Sequence, residues 1–437
     1  MRGMVRDPAR MVEPARVHRA AYTDPGIFEL EMERIFDRVW TYVGHESQVP
    51  NPGDYWTVQI GRQPMIMSRH TDGKVYVLYN RCPHRGTMIA ADRNGSSDRG
   101  FICSYHAWQF HSDGRSKAVP LAHGYEGTDW RPGGPECDLK RAPRVAAYRG
   151  FYFASLAAEG PPLEEWLGRA RIGLDDIVER APAGEIELVP TCFRVVQRSN
   201  WKLFLENQLD VAHAVVTHEA AGRAAVDVGE EIKRRGQSVP FDYHLITVFT
   251  SPLGAWEKMT TVSYPSGHSV LQGTYNVRPQ DPDSLAYEKV MRESYGSERA
   301  EEILGRNIHH VIVYPGLSLQ PPFQQLRAIR PLAVDRTLVE IWHFRLKGAP
   351  EAIYRRSLAY YNLVNSPATL VNADDLENFW KCHQGLSSDG GDWVTFGRHL
   401  GRDIEKNGMV ETAPNCGTSE APMRNQMKAW ARYMAAQ

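Results

Sequence analysis

Residues 200–218 read Asn-Trp-Lys-Leu-Phe-Leu-Glu-Asn-Gln-Leu-Asp-Val-Ala-His-Ala-Val-Val-Thr-His. On a helix, Asp210 and His213 share one face because residues three apart are neighbours, and Glu206 lies one turn earlier on that face. His218 follows His213 by five residues, so the two imidazoles would point apart on a regular helix. If both bind one ion, the backbone must bend or bulge between them. The alternative is a plain helix with two hydrogen-bonded core histidines and a capping aspartate.

A second group of candidate metal ligands lies upstream, in two short segments that each combine a cysteine with a histidine. The segments are Cys82-Pro83-His84-Arg85-Gly86 and Cys103-Ser104-Tyr105-His106-Ala107-Trp108, with 18 residues between His84 and Cys103. Four such ligands could hold one tetrahedral zinc ion. They also fit a [2Fe–2S] cluster of the Rieske type, which has two thiolates on one iron and two neutral imidazoles on the other. A third interpretation is two buried cysteines and two surface histidines.

Residues 40–155, which contain both cysteine–histidine segments, consist of short runs separated by Gly, Asp and Pro turns. Apolar and polar side chains alternate within these runs, for example at 55–60, and this pattern predicts a small all-β domain. Ahead of it, Asp24-Pro25 and the apolar residues that follow at helical spacing predict a helix. We therefore expect residues 1–39 to form an N-terminal helical segment that packs on the second domain.

The second domain, residues 156–437, mixes β-like runs with helical stretches. The β-like runs are 192–197, 244–250, 310–314, 327–330 and 338–346, and the helical stretches lie near Asn200, at 283–304 and after Ser366-Pro367. Close to the C-terminus, four large side chains recur at helical spacing, which predicts packing rather than function: Met423, Met427, Trp430 and Met434. The chain as a whole is therefore expected to be of the α+β class.

The composition is that of an ordinary globular protein and excludes several classes of function. Hydrophobic residues make up 42% of the 437 positions, which is enough for a core in two or three domains. With 51 basic and 52 acidic residues the net charge is −1, so no nucleic-acid partner is indicated. No stretch approaches the roughly 18 apolar residues of a membrane span. We expect a cytoplasmic protein, whose six cysteines are thiols or metal ligands rather than a disulfide scaffold.

Taken together, these motifs resemble those of the large (alpha) subunit of Rieske non-heme iron aromatic ring-hydroxylating oxygenases. The resemblance rests on the two cysteine–histidine segments, on Asn200-Trp201-Lys202 and on Glu206-Asn207-x-x-Asp210-x-x-His213-x-x-x-x-His218. It extends from about Trp40 to the end of the chain. It implies an all-β Rieske [2Fe–2S] domain followed by a helix-grip (START-like) catalytic domain with a curved antiparallel sheet.

In this family Cys82, His84, Cys103 and His106 would hold the Rieske cluster. The gap of 18 residues between the two pairs is slightly longer than we expect for the family. An extra turn at residues 94–98 could absorb the difference without moving a ligand.

Two imidazoles and one carboxylate on a face form the facial triad of oxygen-activating Fe(II) enzymes. His213 and His218 supply the two nitrogens. The candidate carboxylates are Asp374 and Asp375, on the predicted helix after Pro367. Adjacent side chains on a helix point about 100° apart, so only one of them can face the metal. Position alone excludes neither, and resemblance to the family's Asp-Asp-x-Glu-Asn pattern selects Asp375.

The family also implies an electron path between subunits. There the residue that matches Asp210 bridges an iron-bound histidine and a cluster histidine of the neighbouring subunit, so we expect Asp210 to pair with His213. Across the subunit contact it would pair with His106 or His84. Such a path implies a ring-shaped oligomer, either an α3 core or an α3β3 assembly with a small β subunit.

The sequence defines the substrate pocket less well. Apolar candidates, each of which could equally be core, are Val216, the 245–249 run, Leu317, Leu319, Phe323 and Phe379. Asn207 and Glu206 either help to shape the iron pocket or have a structural role. Arg327 and Arg330 could hold a substrate carboxylate or form structural ion pairs. On this basis we expect the substrate to be a benzoate- or salicylate-like aromatic acid.

The predicted function is that of a terminal oxygenase that uses O2 and externally supplied electrons to dihydroxylate or hydroxylate an aromatic ring. The chain has no Gly-x-Gly-x-x-Gly strand–turn–helix signature, so a ferredoxin or an NAD(P)H-dependent reductase must supply the electrons. Three alternatives are an O-demethylating monooxygenase of the same architecture, a Rieske electron-transfer protein without oxygenase activity, and a zinc-stabilised binding module.

Overall fold

The computed structural model describes residues 7–97, 99–273, 278–412 and 416–435. The chain divides into two compact units. The small unit is Met32–Trp166, and the large unit combines Met1–Glu31 with Leu167–Gln437.

The N-terminal part of the large unit contains two short strands and two helices. They are β1 (Val12–Glu13), β2 (Arg16–His18), α1 (Ala20–Thr23) and α2 (Pro25–Glu31). The Asp24 carboxylate caps α2 by accepting the N–H groups of Gly26 and Ile27, at 2.6 and 3.2 Å. Since Pro25 occupies the first helical position and Phe28 is buried, the helix predicted after Asp24 is confirmed.

The small unit is built from antiparallel strands. They are β3 (Thr41–His45), β4 (Asp54–Ile60), β5 (Gln63–Arg69), β6 (Val75–Tyr79), β7 (Asn94–Ser96), β8 (Phe101–Ile102), β9 (Gln109–Phe110), β10 (Ser116–Ala118), β11 (Arg144–Tyr148) and β12 (Phe151–Ser155). They form sheets in the orders β6-β5-β4-β7, β10-β9-β8 and β11-β12-β3. The predicted all-β character of this region is therefore confirmed.

One local prediction in the small unit was wrong. Residues 94–96, where an extra turn was expected, form β7, which pairs with β4 through Tyr55 and Gly95. A strand is favoured here because Gly95 lacks a Cβ, and the Tyr55 ring lies 2.8 Å from where that Cβ would be. Asp98, the last residue of the expected turn, lies outside the described residues.

The large unit continues with helices and strands in alternation. Its helices are α3 (Leu163–Leu167, which begins in the small unit), α4 (Ile172–Glu179), α5 (Trp201–Asn207), α6 (Ala214–Thr217), α7 (Glu219–Arg234), α8 (Phe241–Thr247), α9 (Leu253–Trp256), α10 (Pro282–Tyr295), α11 (Ser297–Gly305), α12 (Glu351–Tyr360), α13 (Leu370–Ser387) and α14 (Ala421–Ala435). Its strands are β13 (Ile186–Gln197), β14 (Thr260–Ser263), β15 (Ser269–Gln272), β16 (Ile308–Val313), β17 (Leu317–Gln320), β18 (Gln325–Ala333), β19 (Arg336–Leu346), β20 (Trp393–Thr395), β21 (Asp403–Lys406) and β22 (Met409–Thr412).

Single helical turns connect many of these elements. Turns of 3₁₀ helix are Pro8–Arg10, Glu46–Gln48, Ala122–Tyr125, Pro135–Cys137, Gly168–Arg171, Val248–Thr250 and Pro321–Phe323, and turns of π-helix are Met32–Phe36 and Tyr361–Asn365.

A large antiparallel sheet organises the large unit. Within the part of the chain that the structure describes, its order is β13-β19-β18-β17-β16-β15-β14-β22-β21, while β1, β2 and β20 form a separate sheet. Helix α5 packs on β18 and helix α13 packs on β13. The sheet therefore lies beside α13, which carries Asp375, and beside α5, which ends shortly before the two candidate histidines. The predicted α+β class with antiparallel sheets is confirmed.

The helix that begins at Trp201 is interrupted, as the spacing of the two histidines predicted. The Asn200 side chain caps α5 by accepting the Lys202 N–H at 3.2 Å, and α5 ends at Asn207. Residues 208–213 are irregular, α6 covers a single turn, and His218 lies at the junction between α6 and α7. The two histidines therefore flank the single turn of α6, and their rings lie 5.5 Å apart.

Two elements differ from the sequence-based expectation. Residues 244–250, predicted to be β-like, are helical in α8 and the following 3₁₀ turn. This run is rich in β-branched and aromatic residues, but it packs on α7 as a helix, and tertiary packing outweighs intrinsic β-propensity. The single helix expected at 283–304 is two helices, because Gly296 between them has a φ of 78°.

The C-terminal helix α14 packs as predicted. Its four large side chains at helical spacing are all buried: Met423, Met427, Trp430 and Met434. Of the helices in the described residues, none has both the length and the apolar character that a bilayer crossing requires.

Glu31 joins three distant segments of the large unit in one buried contact. Its carboxylate is fully buried and accepts the indole N–H of Trp201 at 2.8 Å and that of Trp430 at 2.7 Å. It also pairs with the Lys202 ammonium. Burial lowers the pKa of Lys202, and the charge of Glu31 opposes that shift. The carboxylate thus connects the end of α2, the start of α5 and the middle of α14.

We predict that Glu31→Gln destabilises the protein by about 3 kcal/mol or more, because it leaves the Lys202 charge buried without its partner. The measurement is the free energy of unfolding in urea, with both metal centres loaded. Glu29→Gln, on the exposed face of the same helix, is the control and should change that energy by less than about 0.5 kcal/mol. Equal effects of the two substitutions would contradict the prediction.

Candidate functional site

The two cysteine–histidine segments of the small unit form loops with the same backbone hydrogen bonds. In each loop the cysteine N–H donates to the carbonyl oxygen five residues later, at 2.8 Å. The fourth residue after the cysteine donates back to the cysteine carbonyl, at 2.9 Å in one loop and 3.0 Å in the other. This fourth residue, Gly86 or Ala107, has a left-handed backbone with φ of 79° or 56°. The two loops therefore share one backbone hydrogen-bond pattern, from which the cysteine and histidine side chains extend.

These loops bring together two thiols and two imidazoles. Cys82 and Cys103 are buried free thiols, and the rings of His84 and His106 are 4.5 Å apart. Burial raises the pKa of Cys82. Burial also acts to raise the pKa of Cys103, but backbone N–H groups, including that of Tyr105, hold it below its usual value. The buried Nδ1 of His84 has no hydrogen-bond partner. Two sulfur and two nitrogen donors fit the ligand set of a Rieske cluster.

In the large unit, His213, His218 and Asp375 converge on one point. Their ligand atoms all lie within 4.8 Å of one another. Asp375 Oδ1 is 3.5 Å from His213 Nε2 and 3.4 Å from His218 Nε2. In the part of the chain that the structure describes, the buried Nδ1 atoms of both histidines lack hydrogen-bond partners. Two imidazoles and one carboxylate in this arrangement fit a facial triad for Fe(II).

The two adjacent aspartates on α13 occupy different positions around His218. Asp375 lies beside its Nε2, whereas Asp374 Oδ2 is 3.6 Å from its Nδ1. Only Asp375 also approaches His213. The geometry therefore brings Asp375, and not Asp374, into the group with both imidazoles. Asp374 lies where a carboxylate would accept the outer N–H of a metal-bound histidine.

Asn207, the last residue of α5, contacts two members of this group. Its amide Nδ2 is 3.0 Å from His213 Nε2 and 3.1 Å from Asp375 Oδ1. An amide N–H can only donate, so Nε2 of His213 is the accepting, unprotonated nitrogen. That tautomer has the Nε2 lone pair which a metal ion requires, and a bound ion would take the place of the Asn207 N–H. Asn207 therefore belongs to the site that the structure assembles.

Asp210 does not contact His213 in this chain. Its Oδ1 accepts the Ala212 N–H at 2.9 Å and lies 3.5 Å from the Arg398 guanidinium. The His213 Nδ1, which Asp210 was expected to engage, has no hydrogen-bond partner. The side chain keeps about 29% of its surface exposed, so it is accessible to solvent. The expected pairing of Asp210 with His213 and with a cluster histidine of another subunit stays a prediction.

Glu206 points away from the three converging residues. Its carboxylate accepts the Tyr22 hydroxyl at 2.8 Å, next to the contact that Glu31 makes. Burial raises the pKa of Glu206 to about 7, and the Tyr22 hydrogen bond and the Lys202 charge counteract this shift in part. These contacts of Glu206 fit a structural role, which is one of the two roles that the sequence allowed.

A cavity lies beside the three converging residues and is lined by both apolar and polar side chains. The apolar ones include Val195, Phe204, Phe249, Val339, Ile341, Val364 and Phe379. The polar ones include Gln208, His309, His310, Gln320, Arg327 and Tyr360. Of the apolar candidates from the sequence, Phe249 and Phe379 therefore line the cavity. Val216 is 76% exposed, Leu317 and Leu319 are core, and Phe323 and Leu245 border a different cavity.

The two arginines of β18 differ in their partners. Arg330 is 3.4 Å from Glu340, so it forms the structural ion pair that was one of its two expected roles. Arg327 is buried and lines the cavity, and it donates to the amide oxygens of Gln208, Gln320 and Gln325. Burial lowers its pKa to about 10.

Sequence reasoning missed several cavity residues. Gln208 directly follows Asn207, but no motif in the sequence assigns it a role. His310 is a polar residue in a predicted apolar strand, and such a residue is a usable signal. Arg398, the partner of Asp210, lies in a loop nearly two hundred residues away and gave no local signal.

Comparison with known families decides which protein family this is. Residues 163–436 match the ring-hydroxylating alpha subunit (catalytic domain) family, and residues 39–129 match the Rieske [2Fe-2S] domain family. The chain belongs to the ring-hydroxylating oxygenase alpha subunits. Toluate 1,2-dioxygenase subunit alpha of Pseudomonas putida is 33% identical over 382 residues, which cover 86% of this chain and 80% of the relative. Anthranilate 1,2-dioxygenase large subunit of Acinetobacter baylyi is 35% identical over 381 residues, 85% of this chain and 77% of the relative.

The fold of this alpha subunit agrees with solved structures. Naphthalene 1,2-dioxygenase with indole bound in the active site matches with a TM-score of 0.80 at 24% identity, over 98% of this chain and 94% of that chain. The resemblance inferred from the motifs is thus confirmed.

The protein is therefore a ring-hydroxylating dioxygenase alpha subunit. As such it carries a Rieske [2Fe–2S] cluster and a mononuclear iron, works with electron-transfer partners and forms multimers. A zinc module or an electron carrier without oxygenase activity would not account for the match over residues 163–436.

The raised pKa of Glu206 predicts a pH dependence of stability. Between pH 4.5 and 7 the unfolded chain has lost the Glu206 proton while the folded chain still holds it, so this group makes stability fall as pH rises. The contribution is fully present below about pH 4.5 and is lost above about pH 7, with an amplitude of up to about 3 kcal/mol.

Glu206→Gln should remove this component, because an amide does not titrate. The measurement is the difference in unfolding free energy between pH 5 and pH 8, compared with that of the unmodified protein. Glu219→Gln, an exposed position at the start of α7, should leave the difference unchanged. A Glu206→Gln protein with the same pH dependence as the parent would show that the prediction is wrong.

Proposed function

We propose that this alpha subunit is a terminal oxygenase that uses O2 and externally supplied electrons to dihydroxylate the ring of a benzoate- or salicylate-like aromatic acid. One observation carries the proposal: the converging group of His213, His218 and Asp375 borders the same cavity as the buried guanidinium of Arg327. The apolar wall of this cavity suits an aromatic ring, and the guanidinium suits a carboxylate. Two relatives support the substrate class, because their names specify toluate and anthranilate, which are both aromatic acids.

In this proposal His213, His218 and Asp375 hold the mononuclear iron, and Cys82, His84, Cys103 and His106 hold the cluster. When bound, the iron supplies oxygen activation and the cluster supplies the electrons for it. Residues 40–155 would be the Rieske domain and residues 156–437 the catalytic domain, with residues 1–39 as an N-terminal segment.

The residues around the iron site have distinct tasks in the reaction. Asn207 keeps the His213 ring in the tautomer that offers Nε2 as a ligand. Asp374 lies beside Nδ1 of His218, where its carboxylate would accept the Nδ1 proton and so leave Nε2 as the ligand. The apolar wall formed by Phe249 and Phe379 limits the access of water to the reacting ring.

The proposal extends to the partners of the protein. Electrons come from a ferredoxin or directly from an NAD(P)H-dependent reductase, and Asp210 connects the iron site to a cluster histidine of a neighbouring subunit. The assembly is a homotrimeric α3 core, with or without three small β subunits, located in the cytoplasm. In support, the Asp210 carboxylate is partly exposed, and the nearby His213 Nδ1 has no hydrogen-bond partner among the described residues.

We predict that Asp375→Asn lowers the iron content from about three to about two per chain, because only the cluster irons remain. Asp374→Asn is the matched control from the next position. It should keep most of the third iron, since an outer carboxylate orients a ligand rather than binding the metal. Iron is measured by mass spectrometry, and the visible spectrum of the cluster should be unchanged in both variants. Equal loss of iron in the two variants would argue against Asp375 as the ligand.

The activity itself is tested by product analysis under labelled O2. With a surrogate reductase, NADH and benzoate, we expect a cis-dihydrodiol that contains two labelled oxygen atoms. Toluene, which has the ring but no carboxylate, is the matched control and should be converted at least about tenfold more slowly. A product with one labelled oxygen, or formaldehyde from a methoxybenzoate, would indicate the monooxygenase alternative instead.

A further inference from the structure

Arg327 is a buried cation without an acidic partner in the described residues. Its side chain is 5% exposed, and its hydrogen-bond acceptors are three neutral amides, those of Gln208, Gln320 and Gln325. No carboxylate oxygen of the described chain lies within 4.0 Å of its guanidinium. Arg330, three residues later on the same strand, has such a partner in Glu340. Because a buried charge is costly when it is unpaired, the Arg327 site is suited to an anion from outside.

A second donor without a partner borders the same cavity. His310 is buried, and its Nε2 is 3.1 Å from the amide nitrogen of Gln320. An amide nitrogen donates, so Nε2 accepts and the proton of the neutral ring is on Nδ1. The buried Nδ1 has no hydrogen-bond partner within the described ranges of the chain. The cavity therefore presents a guanidinium and an imidazole N–H that both lack an anionic acceptor.

A chain of amide hydrogen bonds leads from Arg327 to the iron ligands. The guanidinium donates to the Gln208 amide oxygen, and the Gln208 amide nitrogen donates to Asn207 Oδ1 at 3.1 Å. The Asn207 amide nitrogen then contacts His213 Nε2 and Asp375 Oδ1, at 3.0 and 3.1 Å. Each amide in this chain is held at one end by the residue before it. A change at the guanidinium therefore alters what holds Asn207 against the ligand atoms.

We propose that Arg327 binds the substrate carboxylate and that this displaces Gln208 from the guanidinium, which loosens the contact of Asn207 with Asp375. The inference rests on the proposed function and names the residues that recognise its substrate class. A carboxylate outcompetes the Gln208 amide because a charged, bidentate acceptor bonds a guanidinium more strongly than a neutral one. A bound iron would take the single Nε2 lone pair of His213, so the contact with Asp375, whose oxygen has a further lone pair, is the one that carries the change. Occupation of the acid subsite thus frees the Asp375 carboxylate from its amide contact only when an aromatic acid is present.

The first experiment measures affinity by calorimetry on the holoenzyme, with benzoate and its neutral analogue benzamide. The unmodified protein should bind benzoate at least about tenfold more tightly than benzamide. Arg327→Gln should lose that preference, and Arg327→Lys should recover part of it because the charge remains. Arg330→Gln, the ion-paired arginine of the same strand, is the control and should keep the preference. If Arg327→Gln binds benzoate as tightly as the parent, Arg327 is not the acid subsite.

The second experiment tests the connection to the iron ligands. The electron paramagnetic resonance signal of the nitric oxide adduct of the mononuclear iron should shift when benzoate is added to the parent protein. Gln208→Leu should still bind benzoate, but the signal should already be shifted and no longer respond. Gln325→Leu is the matched control: this amide also accepts from Arg327 but does not contact Asn207 in the described structure, so the response should persist. A normal response in Gln208→Leu would overturn the connection.

The outcomes separate this inference from the proposed function. If the parent protein binds and oxidises benzoate while Arg327→Gln binds it equally well, the proposed function stands and the inference fails. If the parent protein binds toluene but neither benzoate nor salicylate, the substrate class fails first. If Arg327→Gln does not fold, the comparison of benzoate with benzamide in the parent protein still decides: equal affinities contradict a carboxylate subsite.

Discussion

The catalytic half of this molecule depends on the irregular backbone that divides the stretch from Asn207 to Glu219 into short helical segments. On a continuous helix, side chains five residues apart point about 140° away from each other, so His213 and His218 could not approach one carboxylate. Here His213 precedes the single turn of α6 and His218 lies at the junction with α7. Their rings are 5.5 Å apart, and Asp375 approaches from a separate helix. The irregular residues do not lose all their hydrogen bonds, because Asp210 accepts the Ala212 N–H and so closes a turn. Asp210, which is proposed to serve electron transfer, thus also stabilises the irregular backbone that follows α5.

Hydrogen bonds at the start of α5 hold this helix in place. The Asn200 side chain caps it, and the Glu31 carboxylate accepts the indole N–H groups of both Trp201 and Trp430. These contacts involve strong donors at a fully buried acceptor, and such bonds are more directional than apolar packing. They fix the position from which Asn207, seven residues later, reaches the iron ligands.

Much of the architecture could be predicted from the sequence, because local patterns determine it. The two cysteine–histidine loops are recognisable since each places both donors within three residues, and the histidine spacing already required a bend. Other features depend on tertiary contacts that no local pattern records. Asp374 and Asp375 have the same chemistry and differ only in which of them faces both histidines. The partners of Arg327 come from three separate segments, whereas residues 244–250 resemble a strand locally and are helical only because of the helix they pack on.

The contact between Glu31 and Trp430 also sets an order of events during biosynthesis. The small unit is contained within Met32–Trp166, so all of its strands have been translated before most of the large unit exists. The large unit joins residues from both sides of that insertion, and its buried carboxylate obtains its last donor only after residue 430 has left the ribosome. Domains generally fold as units while the chain emerges. The sulfur-ligand loops can therefore form while most of the large unit is still untranslated, whereas the buried Glu31 cluster is complete only after residue 430 has emerged.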